Sequence, residues 1–217
     1  MADENNALFK EIEEELRQDK ADQLWKTYGS YVVGAALAIV VGVAAFQGWQ
    51  TYDTKQRIAR GEAFDAARAL ISKNPDDAIA AFEKIADGNS DGYAQLARFR
   101  EAGLLSTKGD HAGSAKAYEG LSKLDGLAQQ YRDLAVILGA MQELSGSVSD
   151  APLTARLDTL LDGKNPWRHS AREALGIAAL KSGDKTKAKM HFKTLADDAT
   201  TPRGLAQRAG EMLKAIE

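Results

Sequence analysis

The most prominent pattern along the chain is a long run without charged side chains near the N-terminus. No Asp, Glu, Lys or Arg occurs between Lys26 and Asp53, and the centre of the run, YVVGAALAIVVGVAAF, is almost wholly apolar. A helix needs about 20 mostly apolar residues to cross a hydrocarbon core of roughly 30 Å. Tyr28 and Trp49 are 21 residues apart, which corresponds to about 32 Å of helix. The pattern therefore predicts one transmembrane helix over residues 27–52.

The ends of this run support a span that is kept in the mature protein. Aromatic residues prefer the headgroup level, and here Trp25, Tyr28 and Tyr31 precede the run while Trp49 and Tyr52 close it. A cleaved signal peptide is the alternative, because residues 43–45 (VAA) resemble a cleavage site. Signal peptides start with a short basic leader, whereas residues 1–26 hold four basic and eight acidic side chains. This acidic leader favours an uncleaved anchor. Basic residues are nearly balanced across the run, so their count does not decide its orientation.

Small residues form a ridge on the predicted span. Gly34, Ala38 and Gly42 recur every four residues and would share one face of the helix. Small side chains allow two helices to approach closely in lipid, so the ridge is a candidate contact for another membrane helix or for a second copy of the chain. Small residues are also common in spans without any such role, and the two interpretations carry equal weight.

Beyond the span, apolar residues follow the spacing of paired helices. The clearest pair covers residues 172–195: Leu175 and Gly176 start the packing of its first helix, Gly183-Asp184 forms the turn, and Ala188, Phe192 and Leu195 face inward on its second helix. The same frame occurs earlier, where the turn Gly109-Asp110 precedes Ser114, Tyr118 and Leu121, and the turn Asn74-Pro75 precedes Ala78, Phe82 and Ile85.

The spacing of these pairs identifies the type of repeat. Phe82 and Tyr118 are 36 residues apart, and Tyr118 and Phe192 are 74 apart, close to one and two periods of the 34-residue tetratricopeptide repeat. A weaker repeat lies between them: Tyr131, Leu134, Ala135 and Leu138 fit its first helix, and an insertion over residues 145–152 displaces its second. A last helix over residues 203–216 would cap the stack. The predicted fold is all-α, with one N-terminal transmembrane helix followed by a tetratricopeptide-like α-solenoid.

Such a solenoid presents a concave face built from the first helix of each pair. The repeat frame places Leu96, Phe99, Ile177 and Leu180 at groove-facing positions, and an apolar groove would suit an extended or unfolded polypeptide. The alternative, that these side chains pack on the next helix of a tightly wound array, is favoured about two to one.

Composition and motifs exclude several classes of function. The net charge is −3 and no basic run occurs, so nothing indicates a nucleic-acid partner. The chain has no Cys, and neither a nucleophile elbow nor a phosphate-binding loop is present. His111, His169 and His191 lack metal-ligand spacing and are interpreted as surface residues. Residues 87–92 imitate a calcium loop, but Arg98 stands where the bidentate Glu should be. We expect no catalytic residue, no metal and no cofactor.

Several short stretches, in this order, resemble a bacterial family. They are WKTYG at residues 25–29, QGWQ at 47–50, GYAQLAR at 92–98, NPWR at 165–168 and RAGEML at 208–213. The chain resembles the YfgM-like ancillary subunits of the SecYEG translocon. The resemblance implies an inner-membrane protein with a cytoplasmic N-terminus and periplasmic repeats, which assists exported polypeptides beside the translocon.

The sequence thus predicts three segments. Residues 1–26 form an acidic, helical tail, residues 27–52 the transmembrane helix, and residues 53–217 the repeat domain with its capping helix. The leading hypothesis is an adaptor or holdase that partners the translocon, other envelope proteins, exported chains and the bilayer. A membrane-anchored scaffold for envelope or division machinery is the alternative, and no constellation of side chains favours an enzyme.

Overall fold

The computed structural model describes residues 2–87, 92–146 and 151–216, and over these residues the chain forms nine α-helices and no strand. Their bounds are α1 Ala2–Leu70, α2 Pro75–Asp87, α3 Gly92–Thr107, α4 His111–Ser122, α5 Gln129–Gly146, α6 Ala151–Asp158, α7 Arg168–Lys181, α8 Lys185–Asp197 and α9 Arg203–Ile216. The predicted all-α class is confirmed. Contacts divide the chain into two compact units, residues 1–59 and residues 60–217.

The first unit is the part of α1 up to residue 59, and its uncharged run is exposed except at Gly29, which is buried. By its length and composition, the part of α1 from Asp22 to Leu70 can cross a membrane: its most apolar window has a mean hydropathy of 2.1, and only 6% of that window is buried. An exposed apolar surface of this size needs a lipid or protein environment. The helix has no break at residues 26–27 or 52–53, where the sequence pattern sets segment boundaries.

In the second unit, α2, α4 and α8 place three residues in one shared inward register, and α6 does the same together with the turn that follows it. Positions i, i+4 and i+7 lie on one face of a helix. They are occupied by Ala78, Phe82 and Ile85; by Ser114, Tyr118 and Leu121; by Leu153, Leu157 and Leu160; and by Ala188, Phe192 and Leu195. All are buried except Ile85, which is partly buried against the same core. The repeat frame derived from the sequence is therefore confirmed.

A glycine on the preceding helix makes room for the largest of these side chains. Gly176 of α7 is buried, and a Cβ built on it would lie 2.7 Å from Cζ and 2.8 Å from Cε1 of Phe192. Any side chain at this position would overlap the ring. The close approach of α7 and α8 therefore depends on a glycine, as the sequence pattern indicates.

Two of the turns inside helix pairs have the same construction. Gly109 and Gly183 have φ angles of +84° and +79°, which L-residues with a side chain rarely adopt. The following residues, Asp110 and Asp184, donate their backbone N–H to the carbonyl five residues earlier, at 3.0 and 2.8 Å. Their carboxylates accept from the backbone N–H three residues later, at 2.8 and 2.9 Å. Each glycine thus ends one helix, and each aspartate caps the next.

The weaker third repeat is formed by α5 and α6. Leu153 and Leu157 of α6 are buried, and so is Leu160, which lies in the turn after the helix ends at Asp158. The capping helix α9 has the predicted bounds. Residues 147–150 of the predicted insertion and residues 88–91 of the calcium-like turn lie outside the described residues.

Candidate interaction surfaces

The small-residue ridge of α1 is open along its length. Gly34, Ala38 and Gly42 are exposed, and a Cβ built on either glycine would meet no other atom within 4 Å. The three residues extend over about 12 Å of one helix face. A second helix could lie against this face with its backbone close. The membrane contact of these residues remains a prediction.

Of the four predicted groove residues, one is exposed and three are partly buried. Leu96 is 53% exposed. Phe99 is partly buried, and its ring centroid lies 6.2 Å from that of Tyr118. Ile177 and Leu180 are partly buried against the cluster that contains Phe192. Leu96 therefore offers most of its surface to a partner, while the other three also contribute to the cores.

A buried carboxylate fixes the segment before α7. Asp133 of α5 is 7% exposed and accepts hydrogen bonds from Nε2 of Gln129 at 2.7 Å and Nδ2 of Asn165 at 2.9 Å. Trp167 adds a bond from its ring N–H to the carbonyl of Gln130 at 2.8 Å. The NPWR stretch at residues 165–168 thus attaches one repeat to the next.

His169 is buried, so its predicted position at the surface is wrong. The sequence pattern places it at the surface, but it is 7% exposed, because Thr200 and Thr201 in the segment before α9 pack against its ring. Its Nδ1 lies 3.2 Å from Oγ1 of Thr201, and its Nε2 lies 3.4 Å from Oγ1 of Thr200. Burial lowers the pKa of His169, and the nearby Arg168 lowers it further, against an opposing effect of Asp198.

The same segment holds Asp198 in its charged form. Hydrogen bonds from the hydroxyl and the backbone N–H of Thr200 lower the pKa of this carboxyl group. The sequence does contain a signal for the arrangement, because Asn165-Pro166 and Thr201-Pro202 are 36 residues apart. That spacing equals the distance between Phe82 and Tyr118, one repeat.

The other two histidines are partly buried rather than fully exposed. Nδ1 of His111 lies 2.9 Å from Oε1 of Gln142, which links α4 to α5. Nδ1 of His191 has no hydrogen-bond partner, and burial lowers the pKa of this ring. Within the part of the chain that the structure describes, no three His, Asp or Glu side chains are grouped as metal ligands would be.

Comparison with known protein families identifies the type of domain. The model of the tetratricopeptide repeat-like domain family matches residues 22–202, which include the uncharged run and helices α2 to α8. No curated protein sequence matches the chain, and no solved structure does.

Proposed function

Since the chain belongs to the family of tetratricopeptide repeat-like domains, we propose that it is a protein-interaction module that one helix holds on a membrane. Arrays of this kind expose extended surfaces that bind other proteins, and such domains are in general not catalytic. The family supports the interaction function, and the length and composition of α1 support the membrane location.

The observation that carries the membrane proposal is the exposed apolar run of α1. Its side chains find no partner surface in the described part of the chain, as Leu37 and Val41 illustrate with 61% and 66% exposure. A bilayer would cover this run on all sides. We expect mass spectrometry of the membrane-extracted protein to find the run still attached. A mature N-terminus at Phe46 would instead identify a signal peptide.

We place the protein in the bacterial inner membrane, beside the SecYEG translocon, with a cytoplasmic tail and periplasmic repeats. The support is the ordered set of short stretches described above, from WKTYG at residues 25–29 to RAGEML at residues 208–213. In this position, the small-residue ridge would contact a translocon helix, and the repeat domain would act as an adaptor or holdase for exported chains.

The exposed face of α3 is the part of the array best suited to such chains. Leu96 is apolar and 53% exposed, so its burial against an extended apolar segment would favour association in water. The partly buried Phe99 lies on the same helix, one turn further on. Ile177 and Leu180 would contribute their exposed portions.

Photo-crosslinking in living cells tests this proposal. A crosslinking residue at Leu37 should capture integral subunits of the translocon, and one at Leu96 should capture exported polypeptides. The exposed Lys164, placed in a loop, serves as the control position. If both test positions capture only envelope or division proteins, the scaffold hypothesis replaces the translocon assignment.

A further inference from the structure

Helix α8 carries a concentration of positive charge that the proposed function leaves unused. Residues 185–197 hold four lysines and one aspartate, a net charge of +3, whereas the rest of residues 53–217 holds 20 basic and 22 acidic side chains, a net charge of −2. The repeat domain is therefore nearly neutral as a whole but strongly asymmetric. Such an asymmetry orients a protein in an external electrostatic field.

Three of the lysines form one stripe. Lys185, Lys189 and Lys193 recur every four residues, so they share one side of α8 over about 12 Å, and all three are exposed. Lys193 lies 3.8 Å from Asp197 across a pair that is open to solvent, an arrangement of little energetic value. Among the described residues, Lys185 and Lys189 have no carboxylate within ion-pair distance.

An apolar side chain lies beside this lysine stripe. Met190 is 53% exposed and occupies the outward half of α8, opposite the buried Ala188, Phe192 and Leu195. Basic side chains next to an exposed apolar one are typical of helices that lie on a membrane surface.

We propose that the lysine stripe of α8 docks the repeat domain on the anionic headgroups of the membrane in which the chain is anchored. The proposal rests on the membrane anchoring described above. Tethering keeps the domain at a high effective concentration near the lipid, so weak contacts suffice. Each lysine near an anionic surface strengthens binding about fivefold, which gives on the order of a hundredfold for the three together.

The chain offers a direct test because it has no Cys, so a single Met190→Cys carries a fluorophore next to the stripe. The labelled full chain is reconstituted in nanodiscs of phosphatidylcholine, with or without phosphatidylglycerol, that contain a headgroup-attached quencher. We expect stronger quenching with the anionic lipid, and a loss of this difference at high salt. Replacing the three stripe lysines with Gln should also remove it.

The matched control removes the same number of positive charges from positions outside the lysine stripe. Lys73→Gln, Lys116→Gln and Lys164→Gln together replace three exposed lysines outside the stripe and should leave the quenching intact. Equal quenching in both lipids, or equal loss in the stripe and control variants, overturns the proposal and leaves an acidic protein as the occupant.

Retention of the chain in nanodiscs after an alkaline wash reports on the anchor alone. Loss of the unmodified chain in the wash would refute the proposed membrane function. A retained chain without lipid-dependent quenching refutes only the docking of α8. Circular dichroism of both triple variants confirms that they are folded.

Discussion

The contact between Phe192 and Gly176 provides the sharpest test of the repeat register. Phe192 is 1% exposed, so Phe192→Ala should lower the free energy of unfolding by about 3–5 kcal/mol, the range for truncation of a buried aromatic ring. A Cβ on Gly176 would lie within 3.1 Å of three atoms of that ring. Gly176→Ala should therefore cost about 1–3 kcal/mol through overpacking, against a gain of about 1 kcal/mol in helix propensity.

The effect of Gly176→Ala on the free energy of unfolding should change sign when Phe192→Ala is also present. Once Phe192→Ala has removed the ring, Gly176→Ala no longer meets an obstacle, and only its gain in helix propensity of about 1 kcal/mol remains. The substitution should then stabilise the protein. A double-mutant cycle should yield a coupling energy of about 1–3 kcal/mol. Urea denaturation of the full chain in detergent, followed by circular dichroism, supplies all four free energies.

Gly210 of α9 is the matched control, because a Cβ built on it would meet no atom within 4 Å. Gly210→Ala should have the same effect with and without the Phe192 ring. Two results would refute the reasoning. A cost below about 1 kcal/mol for Phe192→Ala would place the ring at the surface. Equal effects of Gly176→Ala in both backgrounds would mean that the two residues do not touch.

Three further predictions concern topology, partner surfaces and pH. Protease added to spheroplasts should digest residues 53–217 and spare residues 1–26; protection of the repeats until lysis would reverse the orientation. Ala38→Leu should reduce the amount of membrane partner that a pull-down recovers, without changing the melting midpoint of the repeat domain. Phe99→Asp should lower that midpoint strongly, because the ring of Phe99 packs against Tyr118. An unchanged midpoint together with weaker capture of unfolded chains would instead support the groove. The pKa of His169 is lowered in the folded protein, so the neutral ring's contribution to stability is complete above the ordinary pKa of about 6.5 and is lost as the pH falls through the pKa of the folded state. His169→Gln should therefore flatten the decline in the free energy of unfolding below about pH 6.5. An unchanged pH profile of stability contradicts this.

Much of the fold was predictable because repeated packing leaves a repeated pattern. A small residue, an aromatic one and an aliphatic one at i, i+4 and i+7 describe the inward face of a second helix, and three such sets sufficed to define the frame. The turns were predictable for a local reason, since a glycine followed by a capping aspartate ends one helix and starts another. Both features depend on neighbours close in sequence.

The interaction surfaces were less predictable, because the first helix of each pair has neighbours on several sides. Leu96 and Phe99 are three residues apart on α3, yet one is exposed and the other packs against Tyr118. Their apolar character is the same, and only the position of α4 separates them. Sequence periodicity identifies an apolar face but not whether another helix covers it.

His169 was misplaced for a different reason. A single histidine contributes nothing to an apolar pattern, so a buried one cannot be told from an exposed one by its neighbours. Its burial depends on Thr201, which is 32 residues away. Only a long-range pairing rule could have predicted it.

Such a rule does exist in this chain. Asp133 and Asn165 are also 32 residues apart, and each member of this pair precedes its counterpart, His169 or Thr201, by 36 residues, one repeat. Asp133 and His169 lie near the starts of α5 and α7, and their partners lie just before α7 and the capping helix α9. The apolar register fixes α7 against α8, and apolar residues of α5 and α6 also pack against α7. Two polar pairs at equivalent positions, one buried and one partly buried, add to this packing, and because a hydrogen bond is directional where apolar packing is not, they help to orient the last helices of the array.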